Sequence, residues 1–200
     1  ELDKYCKKKK IDWFVSCWDI QSQIEMRKFK TKYNKVASAM LLHHELLETI
    51  AKERKYTFIS TGMSSMNDIK KAVKIFTKYK CKFELLHCHS AYPMPLEEAN
   101  LNLIPLLKKQ FKCKVGYSGH ETGATDVCIP AVMLGANTIE RHVTVDRTLY
   151  GYDQAASLEP TGLSRLVRDI RVIDKIMGDG IKKIWPSEIP NQKKLRQIFT

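Results

Sequence analysis

The sequence lacks any long apolar run. None approaches the roughly 18–20 residues of a membrane-spanning helix, which excludes a helical membrane protein. The N-terminal stretch ELDKYCKKKKIDWF is charged, has no apolar segment behind it and does not read as a secretory signal; it also has no initiator Met. No pair among Cys6, Cys17, Cys81, Cys88, Cys113 and Cys128 is spaced C-x-x-C, and several lie inside apolar runs such as FELLHC and DVCIPAVML. This disfavours a disulfide framework and a zinc site; buried, reduced thiols in a cytoplasmic protein are expected. Nor is there a G-x-G-x-x-G or Walker-type loop of the kind that cradles nucleotide phosphates.

What is present is an ordinary globular composition. The chain has 200 residues, 44% hydrophobic and 28% charged, enough for one domain with a sizeable core. Its formal net charge of +12 passes a first screen for nucleic-acid binding. The distribution argues otherwise. Outside Lys7 to Lys10, Lys and Arg are scattered along helical periodicities, with no interleaved basic and aromatic residues. A positive field suits anionic small substrates equally well. Neither a nucleic-acid nor a membrane partner is expected.

Short β-rich runs alternate with longer helical stretches. The strand candidates are residues 11–18, 34–40, 56–62, 83–90, 114–120 and 138–144. Between them apolar residues recur at helical spacing, as with Ile69, Val73 and Phe76 after Ser65, which forms a capping-box pattern with Asp68. In the last helix Leu163, Leu166, Val167, Ile170 and Ile173 make a stripe, and Gly178 stands where a C-terminal cap belongs. Alternation of this kind implies a parallel sheet with crossover helices, either doubly wound or closed as a (β/α)₈ TIM barrel. Polar residues at the ends of nearly all the strands favour the barrel, where such ends converge on one mouth. The expected class is therefore α/β, a (β/α)₈ TIM barrel with about six of its eight βα units in this chain, filling residues 1–180.

Several strand ends carry chemistry. Ser118 and His120 are two apart and face one way, as do Glu140 and His142 on the next strand. Two imidazoles at one mouth could share a divalent ion with open positions, or could simply be satisfied within a polar rim. Lys35 with Ser38, Ser60, Ser90 and Ser118 offers the ammonium and hydroxyls that a phosphate or carboxylate needs, although each serine alone reads equally as a loop cap. Lys35 and Ser38 have opposite parity, so both reach the mouth only if the strand ends between them. Tyr92 begins a turn directly after a strand, and Asp153 lies in a loop too long for a tight βα turn. His43 and His44 read as helix-surface residues and His87 as a strand histidine packed outward.

The strings themselves are more specific. GYSGHETG (116–123), ERHVTVDR (140–147) and DQAASLEP (153–160), together with STGMS (60–64) and HCHSAYPMPLEEANL (87–101), resemble in order and spacing the N-acetylneuraminate (sialic acid) synthase family. The resemblance runs from about residue 11 to 178. It implies a barrel that condenses phosphoenolpyruvate with an N-acetylated amino-sugar aldehyde, N-acetylmannosamine or a relative, with release of phosphate. It implies a divalent ion, Mn²⁺ with Mg²⁺ or Co²⁺ as alternatives, on His120 and His142, which become the catalytic pair. Phosphoenolpyruvate contacts carry over to Lys35, Ser38, Ser60, Ser90 and Ser118, and sugar contacts to Tyr92 and Asp153. The family also implies a homodimer for the full-length protein.

Departures from the family pattern are informative. The chain begins at what would be the third strand, without the preceding strands that supply a Glu, an Asn and a Lys. Met40 stands where many relatives carry an acidic residue, Cys17 where many have Thr, and Ser90 where bacterial relatives often have Asn. Residues 181–200 read as a tail leading toward an antifreeze-like domain. The alternatives are another phosphoenolpyruvate-dependent ulosonic acid synthase, or a basic barrel without catalysis that binds polyanions.

Overall fold

Each β-strand of the chain is followed by a helix that returns it to the start of the next, so the strands are all parallel. The structure, a computed structural model, describes residues 1–196. Five strands form one sheet in sequential order: β1 (Tyr33–Val36), β2 (Tyr56–Ser60), β3 (Phe83–Cys88), β4 (Lys114–Gly119) and β5 (Ile139–Arg141). Helices α1 (Leu2–Lys9) and α2 (Ile20–Met26) precede the sheet. Helices α3 (His44–Lys52), α4 (Met66–Lys78), α5 (Leu103–Phe111) and α6 (Cys128–Met133) make the crossovers, and α7 (Pro160–Met177) follows β5. Residues Glu1–Ile170 form one compact unit. Among the described residues beyond it lie the end of α7 and α8 (Ile189–Leu195), which has no buried residue. No helix among the described residues is long and apolar enough to cross a membrane.

Register separates the two faces. Phe58 pairs with Glu84 and Glu84 with Lys114, while Cys88 pairs with Ser118 and Ser118 with Glu140. These residues share the concave face of the curled sheet. The alternate residues Val36, Ile59, Leu85, Val115 and Tyr117 are buried on the outer face in the core beneath the helices. There they meet Leu46, Leu47 and Ile50 of α3, Ile69 and Phe76 of α4, Ile104 and Leu107 of α5, and Ala131 of α6. Local signals act as expected. Ser65 and Asp68 exchange a full capping box at the start of α4, and Gly178 ends α7 with φ +63°. In α7, Leu166 is buried and Ile170 packs against the core, whereas Leu163 and Val167 are exposed, so the stripe is narrower than expected.

One strand expectation is overturned. Residues 11–18 form no strand, pairing only through a single parallel bridge from Ser16 to Lys35. Phe14 stacks 5.6 Å from Phe58, so the segment is held by side-chain packing rather than by a ladder. The sheet thus holds five strands rather than six. The others are shorter than read: Ser38–Met40 form a 3-10 turn, and Thr61, His89, Ser90, His120 and His142 all lie just past their strands. All six cysteines are free, and all but Cys113 are buried.

Candidate active site

Early termination of the strands puts their polar residues on one rim. A cavity of about 530 Å³ opens there, lined by Lys35, Ser38, Ser60, Ser90 and Ser118 together with Tyr92, His120, His142 and Asp153. Every site residue expected from the sequence reaches this cavity. The parity conflict between Lys35 and Ser38 disappears because β1 ends at Val36, and the chain turns at Ala37 into the 3-10 turn.

Lys35 is buried and its ammonium is held by two acceptors, which leaves a third N–H for a ligand. Nζ donates to Ser60 Oγ and to Glu140 Oε1, the latter at 3.0 Å. The same Glu140 oxygen accepts from Ser118 Oγ at 2.8 Å. Ser38 Oγ accepts from Gly62 N at 3.0 Å and lies 3.1 Å from Cys88 Sγ. Gly62 is required by close approach: a Cβ there would come within 2.9 Å of both Ser38 Oγ and Cys88 Sγ and would collide with Ser90 Oγ. The hydroxyls of Ser16 and Ser90 are buried without a hydrogen-bond partner. With Lys35 they make a cradle for anionic oxygens, since buried donors want acceptors.

His120 and His142 stand across the cavity with ring centroids 5.2 Å apart. The Tyr92 ring lies against both, 4.1 Å from His120 and 5.6 Å from His142. His120 Nδ1 meets the carbonyl oxygen of His89. A carbonyl only accepts, so Nδ1 carries the proton and Nε2 keeps its lone pair. Burial holds the His120 imidazole below its ordinary pKa, with the hydrogen bond to His89 opposing and His142 assisting. His120 is therefore in the neutral form that a metal requires. His142 Nδ1 lies 3.4 Å from Asp153 Oδ2. Burial, reinforced by Cys88, Asp153 and Glu140, pushes the Tyr92 phenol up.

Among the described residues no group of three or more His, Cys, Asp or Glu is arranged to hold a metal ion. The chemistry of the pair, two imidazoles with the His120 ring oriented by a backbone carbonyl, fits an ion that leaves most positions to water or substrate oxygens.

The cavity also takes in residues the sequence did not single out as site residues: Ser16, Trp18, Met63, Cys88, Glu140 and Tyr152. Glu140 was signalled by its shared parity with His142; Tyr152 had no signal. Met40 packs against the core, and Cys17 is buried off this cavity, its thiol pushed up by burial. The hydroxyl that faces the cavity from that segment is Ser16. His87 is buried outward as expected, with Nε2 on the Ala99 carbonyl at 2.8 Å. His43 caps α3 and His44 is exposed.

A model of the NeuB family matches residues 1–182. The chain is 38% identical over 200 residues to an N,N'-diacetyllegionaminic acid synthase of Campylobacter jejuni, covering 98% of this chain and 60% of that protein. It is 37% identical over 196 residues to the N-acetylneuraminate-9-phosphate synthase of Mus musculus, covering 98% of this chain and 54% of that protein. A solved sialic acid synthetase from Leptospira borgpetersenii, in complex with citrate, superposes with a TM-score of 0.86 at 37% identity, covering 98% of this chain and 70% of that one. The chain thus spans little more than half the length of these two synthases from C. jejuni and mouse.

Proposed function

The chain belongs to the NeuB family, and from that premise we propose that the protein condenses phosphoenolpyruvate with an N-acetylated amino-sugar aldehyde to give a sialic-acid-type nonulosonic acid and phosphate. In this reaction C3 of phosphoenolpyruvate bonds to the aldehyde carbon, water adds at C2, and phosphate leaves with the bridging oxygen. The observation that carries the reading is that one cavity gathers Lys35 and the serines of five different segments together with the imidazole pair, Tyr92 and Asp153.

Lys35, held by Glu140 and Ser60, presents a fixed positive charge to the phosphate or carboxylate of phosphoenolpyruvate. Ser16 and Ser90 supply hydroxyls with unspent hydrogen-bonding capacity. A divalent ion on His120 and His142, Mn²⁺ by family resemblance, would supply Lewis acidity toward the aldehyde oxygen. Tyr92 covers the face of His120 and keeps water from it. Asp153, beside His142 and half exposed, is placed to accept from sugar hydroxyls. The sugar is N-acetylmannosamine, its 6-phosphate, or a precursor of legionaminic or pseudaminic acid, and the working protein is a homodimer.

The test is phosphate release from phosphoenolpyruvate with Mn²⁺, using the complete reading frame, with and without N-acetylmannosamine and then with the other N-acetylated aldehydes. Sugar-dependent release that vanishes in His120→Ala is expected. Silence with every aldehyde would overturn the reading in favour of a barrel that binds anions without turnover.

A further inference from the structure

Glu121 follows His120 at the end of β4, and Arg141 precedes His142 as the last residue of β5. Arg141 is the strand neighbour of Glu140 and points to the opposite side, and Glu121 meets the outward-facing Tyr117. Where the histidines turn into the cavity, Glu121 and Arg141 turn outward beneath α6. Both are sealed from solvent, with side chains 0% and 2% exposed, and Arg141 Nη1 lies 2.6 Å from Glu121 Oε1. The guanidinium also donates to the carbonyls of Gly123 at 2.8 Å and Ala156 at 3.2 Å, and to the carbonyl of Glu121 itself. Glu121 Oε2 accepts from Tyr117 OH at 2.9 Å. One planar cation thus ties the end of β5 to the loop after β4 and to the loop carrying Asp153, whose carbonyl accepts from Ala156 N.

A buried ion pair is weak support for stability, because apolar residues of similar volume often do as well. What the fork geometry supplies that packing does not is a fixed distance and orientation between two strand ends. We propose that the Glu121–Arg141 pair is a positioning device that sets the separation of His120 and His142, and hence the affinity of the ion they share. The inference rests on the reading that the two imidazoles act together. Neither residue touches substrate.

The experiment uses the protein from its complete reading frame, as wild type, Arg141→Lys, Glu121→Gln and the double variant E121L/R141M. Binding of Mn²⁺ is followed by the electron-paramagnetic-resonance signal of the free ion, and the ring resonances of the histidines by NMR. Arg141→Lys keeps the charge and loses the fork; E121L/R141M restores an apolar core should the single variants fail to fold. Folded variants are expected to bind Mn²⁺ about 10–100-fold more weakly than wild type, with both His120 and His142 resonances displaced. Wild-type affinity in a folded variant lacking the fork would overturn the inference. Should the wild type itself bind no ion, the shared-ion reading fails separately. The ring resonances then decide the positioning role: displaced in Arg141→Lys they sustain it, unchanged they refute it.

Discussion

Lys35 and Glu140 sit on opposite edges of the sheet, in β1 and β5 and 105 residues apart, yet Nζ reaches Oε1 at 3.0 Å. Side chains from the two outermost strands can meet only because the sheet curls. The pair therefore joins fold and site in one contact.

Removal of that ammonium should be felt in binding far more than in stability. Glu140, with its side chain 36% exposed, can rehydrate when Lys35 is lost, so the penalty of an orphaned buried charge is reduced. Lys35→Ala is expected to lower kcat/KM for phosphoenolpyruvate by at least ~10²-fold while the melting temperature moves by only a few degrees. Phosphate-release kinetics and a thermal melt check both halves.

Arg141→Ala should behave in the opposite way. It strands a Glu121 carboxylate that has no solvent access, and breaking such a pair costs about 3–5 kcal/mol. Urea denaturation of the variant against wild type measures the loss; a change under 1 kcal/mol would contradict the expected cost of an orphaned buried carboxylate.

Gly62→Ala crowds Ser38, Cys88 and Ser90 at the anion cradle. A destabilisation of about 1–3 kcal/mol is expected, together with a raised KM for phosphoenolpyruvate and little change in sugar KM. Steady-state kinetics with each substrate varied in turn separate the two.

Acid should weaken the fold through His87. Burial depresses its pKa below the ordinary imidazole value of 6.5, against the pull of the Ala99 carbonyl. The unfolded chain then binds the proton more readily, so stability is greatest above that ordinary value and is lost as pH falls from it toward the depressed one. His120, also buried, adds to the slope. Urea midpoints across this range should fall with pH, and His87→Gln should flatten part of the decline.

The edges of β1 and β5 carry almost no pairing among the described residues. Exposed strand edges template association. The 200-residue chain alone is expected to self-associate in light scattering, and a monodisperse, cooperatively melting monomer would contradict this.

Much of this was legible in the chain itself. Strand parity put Ser118 with His120 and Glu140 with His142, and the capping pattern at Ser65 and Asp68 marked the start of α4, because these signals depend on neighbours two or three residues away. The segment at 11–18 misled for the same reason. Its residues suit a strand, but pairing depends on how the segment lies along the edge of β1 in the folded chain, where a single bridge joins Ser16 to Lys35. Met40 and Cys17 looked like changes to the site, yet both lie off the cavity, since a 3-10 turn and a buried thiol direct them elsewhere.

The sequence by itself determined the alternation of strands and helices, the family strings and the polar residues at the strand ends. Those properties are written in short-range periodicity and residue type. Tertiary structure decided which of those residues share a surface. The engagement of Lys35 by Glu140, the tautomer imposed on His120 by the carbonyl of His89, and the clamp of Arg141 on Glu121 join residues from 20 to 105 positions apart. Such contacts follow from the register and curl of the sheet, which no local pattern encodes.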